Sequence, residues 1–245
     1  MQPVGRTTPP AAATSLITSR DNEKLKLVRK LRDRRWRDKL GLFVAEGEDL
    51  IEAAGVAPVE LLVAGENVAA ELLADVSTLA HPPRVIAVFR REDLPHGPRP
   101  VTLALWRVAD PGNVGTLLRS ADAFGAGVAL SAGCADPTGP KALRASMGAL
   151  FRVPTVGFDE AAGRRVALVP RGGEPLGEVD LSGEVVLVLG AEREGLPDEV
   201  LERCDVRASI PQQGDAESLN VAMAGTVALY EVSRRLNGTI DSPTR

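Results

Sequence analysis

A chain of 245 residues suits one large domain or two small ones, and a 44% hydrophobic composition supplies a real core. A net charge of −4 argues against a globally basic nucleic-acid binder, and 3% aromatic content argues against base readers built on an aromatic sheet. Two cysteines, Cys134 and Cys204, lack metal-ligand spacing and read as reduced thiols in a cytoplasmic protein.

Residues 1–15 are mostly Pro, Ala, Thr and Gly, with no apolar run long enough for a signal peptide or membrane span, and read as a flexible tail. Charge then segregates. Leu16 to Leu40 holds ten Lys or Arg against four acids, an excess of six, which leaves about −10 for all other residues. Such a segment suits a phosphate-binding surface on an acidic body, and equally the solvated face of a surface helix. The pattern predicts one helix over 21–40, with Leu25, Val28, Leu31, Trp36 and Leu40 on or near one face.

After Gly41 short elements alternate: strands at 42–44, 59–63 and 85–89, helices at 48–54 and 68–74. This is a small α/β unit over 16–95. Pro95 to Pro100 breaks regular structure, so 96–100 reads as a linker. A second unit, 101–238, has nearly continuous apolar strands at 101–108, 128–130, 166–169, 185–189 and 206–210, with helices near 113–124, 140–150, 197–203 and 219–236. Strands without alternation are buried on both faces, which implies a mostly parallel sheet with helices on both sides. Residues 239–245 read as a C-terminal tail.

Three strand-to-helix junctions of the second unit are rich in Gly and polar residues, at the place where open α/β sheets bind ligands. In the first, Asp110 to Gly125, Asn113 reads as a helix N-cap, Arg119 as an exposed helix residue and Gly125 as the C-terminal cap. In the second, Leu189 to Pro197, Gly190 and Gly195 lack the Lys-Ser or Lys-Thr of a phosphate loop, and Glu192 and Glu194 suit a neutral or cationic ligand, or equally a turn whose glutamates are solvated. In the third, Ile210 to Gly225, Ser218 reads as the cap of the last helix, and Asn220, a mediocre helix former, as an amide for the site. Small residues Ala222, Ala224, Gly225 and Ala228 suit core packing or a subunit interface. Both histidines, His81 and His96, sit in Pro-containing connections, which disfavours histidine triads and zinc sites.

Taken together the three junctions resemble the motifs of the SpoU/TrmH family of RNA ribose 2′-O-methyltransferases, within the SPOUT superfamily. Residues 16–95 resemble the substrate-binding domain that many members carry, through Ile17 to Lys26 and Phe43 to Gly47. The resemblance implies a C-terminal trefoil knot, a homodimer, and S-adenosylmethionine held by the knot loops. It implies RNA as partner, ribosomal RNA (23S) ahead of tRNA, and a cytoplasmic location. By position it implies a catalytic set of Asn113, Arg119, Glu192, Ser218 and Asn220. Leu189, Gly190, Ala191, Gly195, Ile210, Ser218 and Leu219 would form the cofactor pocket. No metal is implied.

Arg119, contributed across the dimer, would orient the nucleotide and either accept the hydroxyl proton or stabilise its loss. Gln212, Gln213 and Arg193 fall at variable positions. The basic helix would guide RNA through Arg20, Lys24, Lys26, Arg29, Arg35 and Arg37, joined by Arg144. The competing expectations are an RNA-binding or ribosome-assembly protein that has lost catalysis, and a nucleotide-cofactor oxidoreductase, the latter disfavoured by the missing Gly fingerprint.

Overall fold

The computed structural model describes residues 16–214 and 218–238, so both expected tails lie outside the described residues. The N-terminal part is built on a three-stranded antiparallel sheet, β1 (Leu42–Glu46), β2 (Glu60–Val63) and β3 (Val85–Arg90), in the order β1-β3-β2. Alternation sends Phe43, Ala45, Ala87 and Phe89 to one face and Val44, Leu62, Ile86 and Val88 to the other. The second face is closed by α1 (Glu23–Lys30) and α4 (Ala70–Val76), with α3 (Glu48–Glu52) following β1.

The single helix expected over 21–40 is two. After α1, α2 (Arg34–Leu40) restarts at Asp33, whose side chain accepts from the Arg35 N–H at 2.9 Å. The break turns the second half, so that Trp36 is half-buried, Leu40 is exposed and Arg37 points inward at 5% exposure.

The larger sheet has seven parallel strands: β4 (Val101–Leu105), β5 (Gly127–Leu130), β6 (Thr155–Gly157), β7 (Arg164–Leu168), β8 (Glu174–Pro175), β9 (Val185–Leu189) and β10 (Val206–Ser209). Their order is β6-β5-β4-β9-β7-β10-β8. The short edge strands β6 and β8 were not expected, because neither has an apolar run. Helices α5 (Pro111–Ala123), α6 (Pro140–Ser146) and α8 (Val221–Gly238) cover one face through Leu117, Leu118, Leu143 and Leu229. The short α7 (Asp198–Leu201) and Phe158 cover the other, against Ala104, Val186 and Val188. Among the described residues no helix is long and apolar enough to cross a membrane.

Glycine permits the tightest packing in this layer. A Cβ on Gly115 would collide with the Ala142 carbonyl, and one on Gly225 with Leu117. The Ser120 and Thr226 hydroxyls meet at 2.7 Å between α5 and α8. Gly225 and Ala228 therefore serve packing inside the chain.

The two sheets share one hydrophobic cluster, in which Phe43 and Phe89 meet Phe151 with ring centroids 5.1 to 5.9 Å apart. The segment expected as a linker is tied down: Pro95 O accepts from Thr155 N at 3.2 Å and Pro100 O from Val185 N at 2.7 Å. A buried carboxylate completes the clasp. Asp136, after β5, accepts from Arg37 Nε at 2.8 Å and from an Arg91 terminal nitrogen at 2.9 Å, while its other oxygen accepts from the Thr138 hydroxyl and N–H. Arg37 also donates to the carbonyls of Leu31 and Arg32, where the two helices separate.

Burial alone would raise the Asp136 pKa, but hydrogen bonds from Thr138 and Arg37 and the charges of Arg91 and Arg37 outweigh it and hold it below the ordinary range. A carboxylate depressed in this way contributes stability that is present above the unfolded pKa and lost as pH falls through the folded one. Asp136→Ala leaves two guanidinium groups short of their anion, one of them buried, and is expected to cost roughly 3–5 kcal/mol in urea unfolding at neutral pH. The difference from the parent should shrink as pH falls below about 4, where the unfolded chain takes up the proton, and vanish as the folded carboxylate protonates at lower pH.

Candidate functional site

Because all seven strands run parallel, their carboxyl ends share one edge, where three loops meet: 106–110 after β4, 190–197 after β9 and, after β10, 210–214 with 218–220. In the first loop Arg107 adopts left-handed backbone (φ 54) and gives its N–H to Ser131 Oγ at 2.8 Å, which ends β4 earlier than the expected 108. Asp110, not Asn113, caps α5: its Oδ1 accepts from Asn113 N at 3.0 Å, with Pro111 in the first turn. Lys141 lies 3.0 Å from the Asp110 carboxylate. That contact, followed by the Asn113 N–H, lowers the Asp110 pKa.

Freed from capping, the Asn113 side chain bridges the loops. Its Nδ2 donates to Glu192 Oε1 at 3.0 Å and its Oδ1 accepts from Asn220 Nδ2 at 3.1 Å. Asn220 is also the cap expected of Ser218, since its Oδ1 accepts from Ala222 N at 2.9 Å and Met223 N at 3.3 Å, and α8 starts at Val221 instead of 219. Glu192 accepts from the backbone N–H groups of Ala109 and Asp110 at 3.3 and 3.1 Å. Burial acts to raise its pKa, and the Asn113 amide with the backbone N–H groups outweighs that, so Glu192 titrates below the usual carboxylate range.

The 190–196 loop closes on itself, with Ala191 and Gly195 exchanging backbone hydrogen bonds of 2.9 and 3.2 Å. Gly195 is left-handed at φ 69, and a Cβ on Gly190 would collide with the Gly195 backbone. This loop forms one wall of a cleft of about 320 Å³. Its lining includes Leu189, Gly190, Ala191, Gly195, Ile210, Ser218 and Leu219, together with Glu192 and Asn220. Pattern reading missed Leu168, Val169 and Pro170, which follow from the rule that every carboxyl end of the sheet faces the site. Gln212 and Arg193, read as variable positions, line the cleft too. Gln212 Oε1 is buried and lacks a hydrogen-bond partner among the described residues. Apolar walls, exposed backbone groups and one orphaned acceptor suit a small molecule with an apolar body and N–H donors.

Arg119 does not join this cluster within one chain. It lies six residues beyond Asn113 on α5, about 9 Å along the axis and roughly 120° around it, exposed and with no hydrogen-bond or ion-pair partner among the described residues. Thr116 on α5 is exposed as well, and on α8, which packs against α5, Met223, Val227 and Tyr230 are 63%, 41% and 56% exposed.

Of the expected RNA contacts, Arg37 is unavailable because it is consumed by Asp136. Lys24, Lys26 and Arg29 face Glu60, Glu23 and Asp75 at 2.6, 3.0 and 2.8 Å. Arg144 donates to Thr78 Oγ1 at 3.1 Å, and Thr78 in turn binds the buried Glu46 carboxylate. Arg20 and Arg35 are exposed.

Residues 100–230 match the model of the SpoU rRNA Methylase family, and residues 22–91 that of the MRM3-like substrate binding domain. The chain is 31% identical over 243 residues to the 23S rRNA (guanosine(2553)-2′-O)-methyltransferase RlmP of Bacillus subtilis, covering 88% of this chain and 98% of the relative. Among solved structures it is similar to an AdoMet-bound rRNA methyltransferase from Sinorhizobium meliloti (TM-score 0.81, 32% identity, 91% of this chain and 98% of that one). It is also similar to the SpoU methyltransferase AviRb from Streptomyces viridochromogenes in complex with AdoMet (TM-score 0.76, 28% identity, 88% and 98%).

The hydrogen bonds separate cap from ligand at the third junction. Asn220→Ala is expected to cost about 1–2 kcal/mol in chemical denaturation and to speed amide exchange at Ala222 and Met223. Ser218→Ala should leave protection at those amides unchanged.

Proposed function

The chain belongs to the SpoU rRNA methylase family, and we propose that it transfers a methyl group from S-adenosylmethionine to a ribose 2′-hydroxyl of ribosomal RNA, within the 23S molecule. The observation that carries this reading is the cleft at the carboxyl edge, walled by the loops after β7, β9 and β10, with the loop after β4 tied to its Glu192 and Asn220 through Asn113. The similar Sinorhizobium and Streptomyces structures hold AdoMet, which supports the same cofactor here.

The cleft fits that group. Leu168, Leu189, Ile210 and Leu219 offer apolar walls for the adenosine, backbone groups of 189–195 lie open beside it, and the orphaned Gln212 Oε1 offers an acceptor for an N–H donor. The ionised Glu192 at the mouth favours a cationic ligand. When bound, S-adenosylmethionine supplies an electrophilic methyl group on a sulfonium. The transfer is an in-line displacement that needs positioning and loss of one proton, with no metal.

Asn113, Glu192 and Asn220 hold the three loops in register so that the ribose hydroxyl meets the cleft mouth in one orientation, with Ser218 beside them. Arg119 reaches that mouth from a second copy. It has no partner among the described residues, and the exposed apolar Met223, Val227 and Tyr230 on α8, which packs against α5, suit a homodimer interface. An arginine ordinarily stays protonated, so its part is to orient the nucleotide and stabilise negative charge as the hydroxyl proton passes to a substrate phosphate. The trefoil knot belongs to the same reading. The intact polar cluster favours an active enzyme over a binding protein that has lost catalysis.

Arg119→Ala is expected to lower methyl incorporation into unmodified 23S rRNA by at least about 100-fold, within the range for removing one charge-stabilising group. Calorimetry should find S-adenosylmethionine affinity within a few-fold of the parent; near-normal turnover would remove the catalytic role. Val227→Arg places a charge on the apolar face and should give a monomer by light scattering, with methylation lost in parallel.

A further inference from the structure

Beyond Arg20, the nine other basic residues up to Lys39 divide into two sets. Lys24, Lys26, Arg29, Arg34 and Arg37 each face an acid, and Arg32 is spent on the carbonyls of Asp75 and Ser77. Lys30, Arg35 and Lys39 are exposed and have no acidic partner among the described residues. Instead these three gather on one indole: Lys30 Nζ lies 5.3 Å, Lys39 Nζ 5.1 Å and the Arg35 guanidinium carbon 5.9 Å from the centre of the Trp36 ring.

Among the described residues, core packing does not explain Trp36. It is half-buried and belongs to none of the three hydrophobic clusters, in a chain with only two tryptophans. A large aromatic at the surface, ringed by cations that no acid among the described residues neutralises, matches the chemistry of a single-stranded nucleic-acid platform. Its placement is also set. The helix that carries it is fastened by Arg37 to Asp136 and by Arg34 to the Cys134 carbonyl, both in the loop after β5. That loop lies on the carboxyl edge of the large sheet, and β5 is two strand positions from β9, about 10 Å from the wall of the cleft.

We propose that Trp36, Lys30, Arg35 and Lys39 form a docking site for an unpaired nucleotide of the RNA substrate, whose base stacks on the indole while the cations move from the ring to the flanking phosphates. The proposal rests on RNA being the substrate and adds where and how a looped-out or single-stranded segment is held. Cation contacts to an exposed ring are weaker than base stacking, so the exchange favours the complex. It also leaves the cleft free to take a second nucleotide a short distance along the strand.

The test uses the full chain, an unmodified 23S rRNA transcript, a single-stranded uridine 12-mer and a duplex of the same length. The 12-mer should quench tryptophan fluorescence in the parent, and W36F should lose most of that quench. W36A should weaken transcript binding by roughly 5- to 100-fold, raising KM for methylation while kcat and S-adenosylmethionine affinity stay near the parent values. Replacing Lys30, Arg35 and Lys39 together by Ala should lower the slope of log K against log salt by about 2 for the single strand.

Binding by W36A within two-fold of the parent, with the quench intact in W36F, overturns the proposal. Equal dependence of duplex binding on Trp36 overturns the unpaired-base assignment. A parent protein that methylates RNA with W36A unchanged refutes this site alone, whereas one that binds the transcript through Trp36 yet methylates nothing refutes the functional reading alone.

Discussion

Three loops far apart in sequence are held together by one relay of side-chain amides. Asn220 caps α8 with its oxygen and gives its nitrogen to Asn113, which passes its own nitrogen to Glu192, whose carboxylate closes on the backbone of Ala109 and Asp110. Each side chain satisfies a backbone or side-chain group on another loop, so no member can reorient without stranding a partner. The cleft depends on this relay, because Glu192 and Asn220 are part of its lining and the turn that Gly190 and Gly195 allow forms one wall.

The second constraint acts at the level of domains. Phe43, Phe89 and Phe151 make the small and large sheets share one apolar core, but apolar contact is non-directional and leaves the angle between them open. Asp136 removes that freedom. Its carboxylate is shared by Arg37 from α2 and Arg91 from the end of β3, and Arg91 also reaches Asp38 at 2.7 Å and Thr138 at 2.7 Å. A buried network of this kind stabilises little beyond its desolvation cost, yet it specifies one arrangement, here the one that ties α2 to the loop after β5 on the carboxyl edge of the large sheet.

Much of this was legible in the chain. Continuous apolar strands at 101–105 and 185–189 signalled a parallel sheet because a strand buried on both faces needs no alternation. The Gly-rich junctions pointed to the site, since parallel strands bring all their carboxyl ends to one edge. Capping was misread at Asn113, Ser218 and the run 21–40 for a common reason. Local propensity ranks Asn, Ser and Asp almost equally as caps, and the choice among Asp110, Asn220 and Asp33 fell to positions set by tertiary contacts. The edge strands β6 and β8 carried no apolar signal, because only one side of each is paired and both are very short.

The sequence by itself determined the parallel architecture, the three junctions and the excess of positive charge before residue 40, because periodicity, glycine and charge are local properties of the chain. Only the tertiary structure decided how those charges are used. Arg37 became an interior clasp and Arg29 the partner of Asp75, while Lys30, Arg35 and Lys39 gathered around Trp36. An ion pair depends on which distant acid folding brings within about 3 Å, and Asp136 lies 99 residues from Arg37. No local count of charge records that distance.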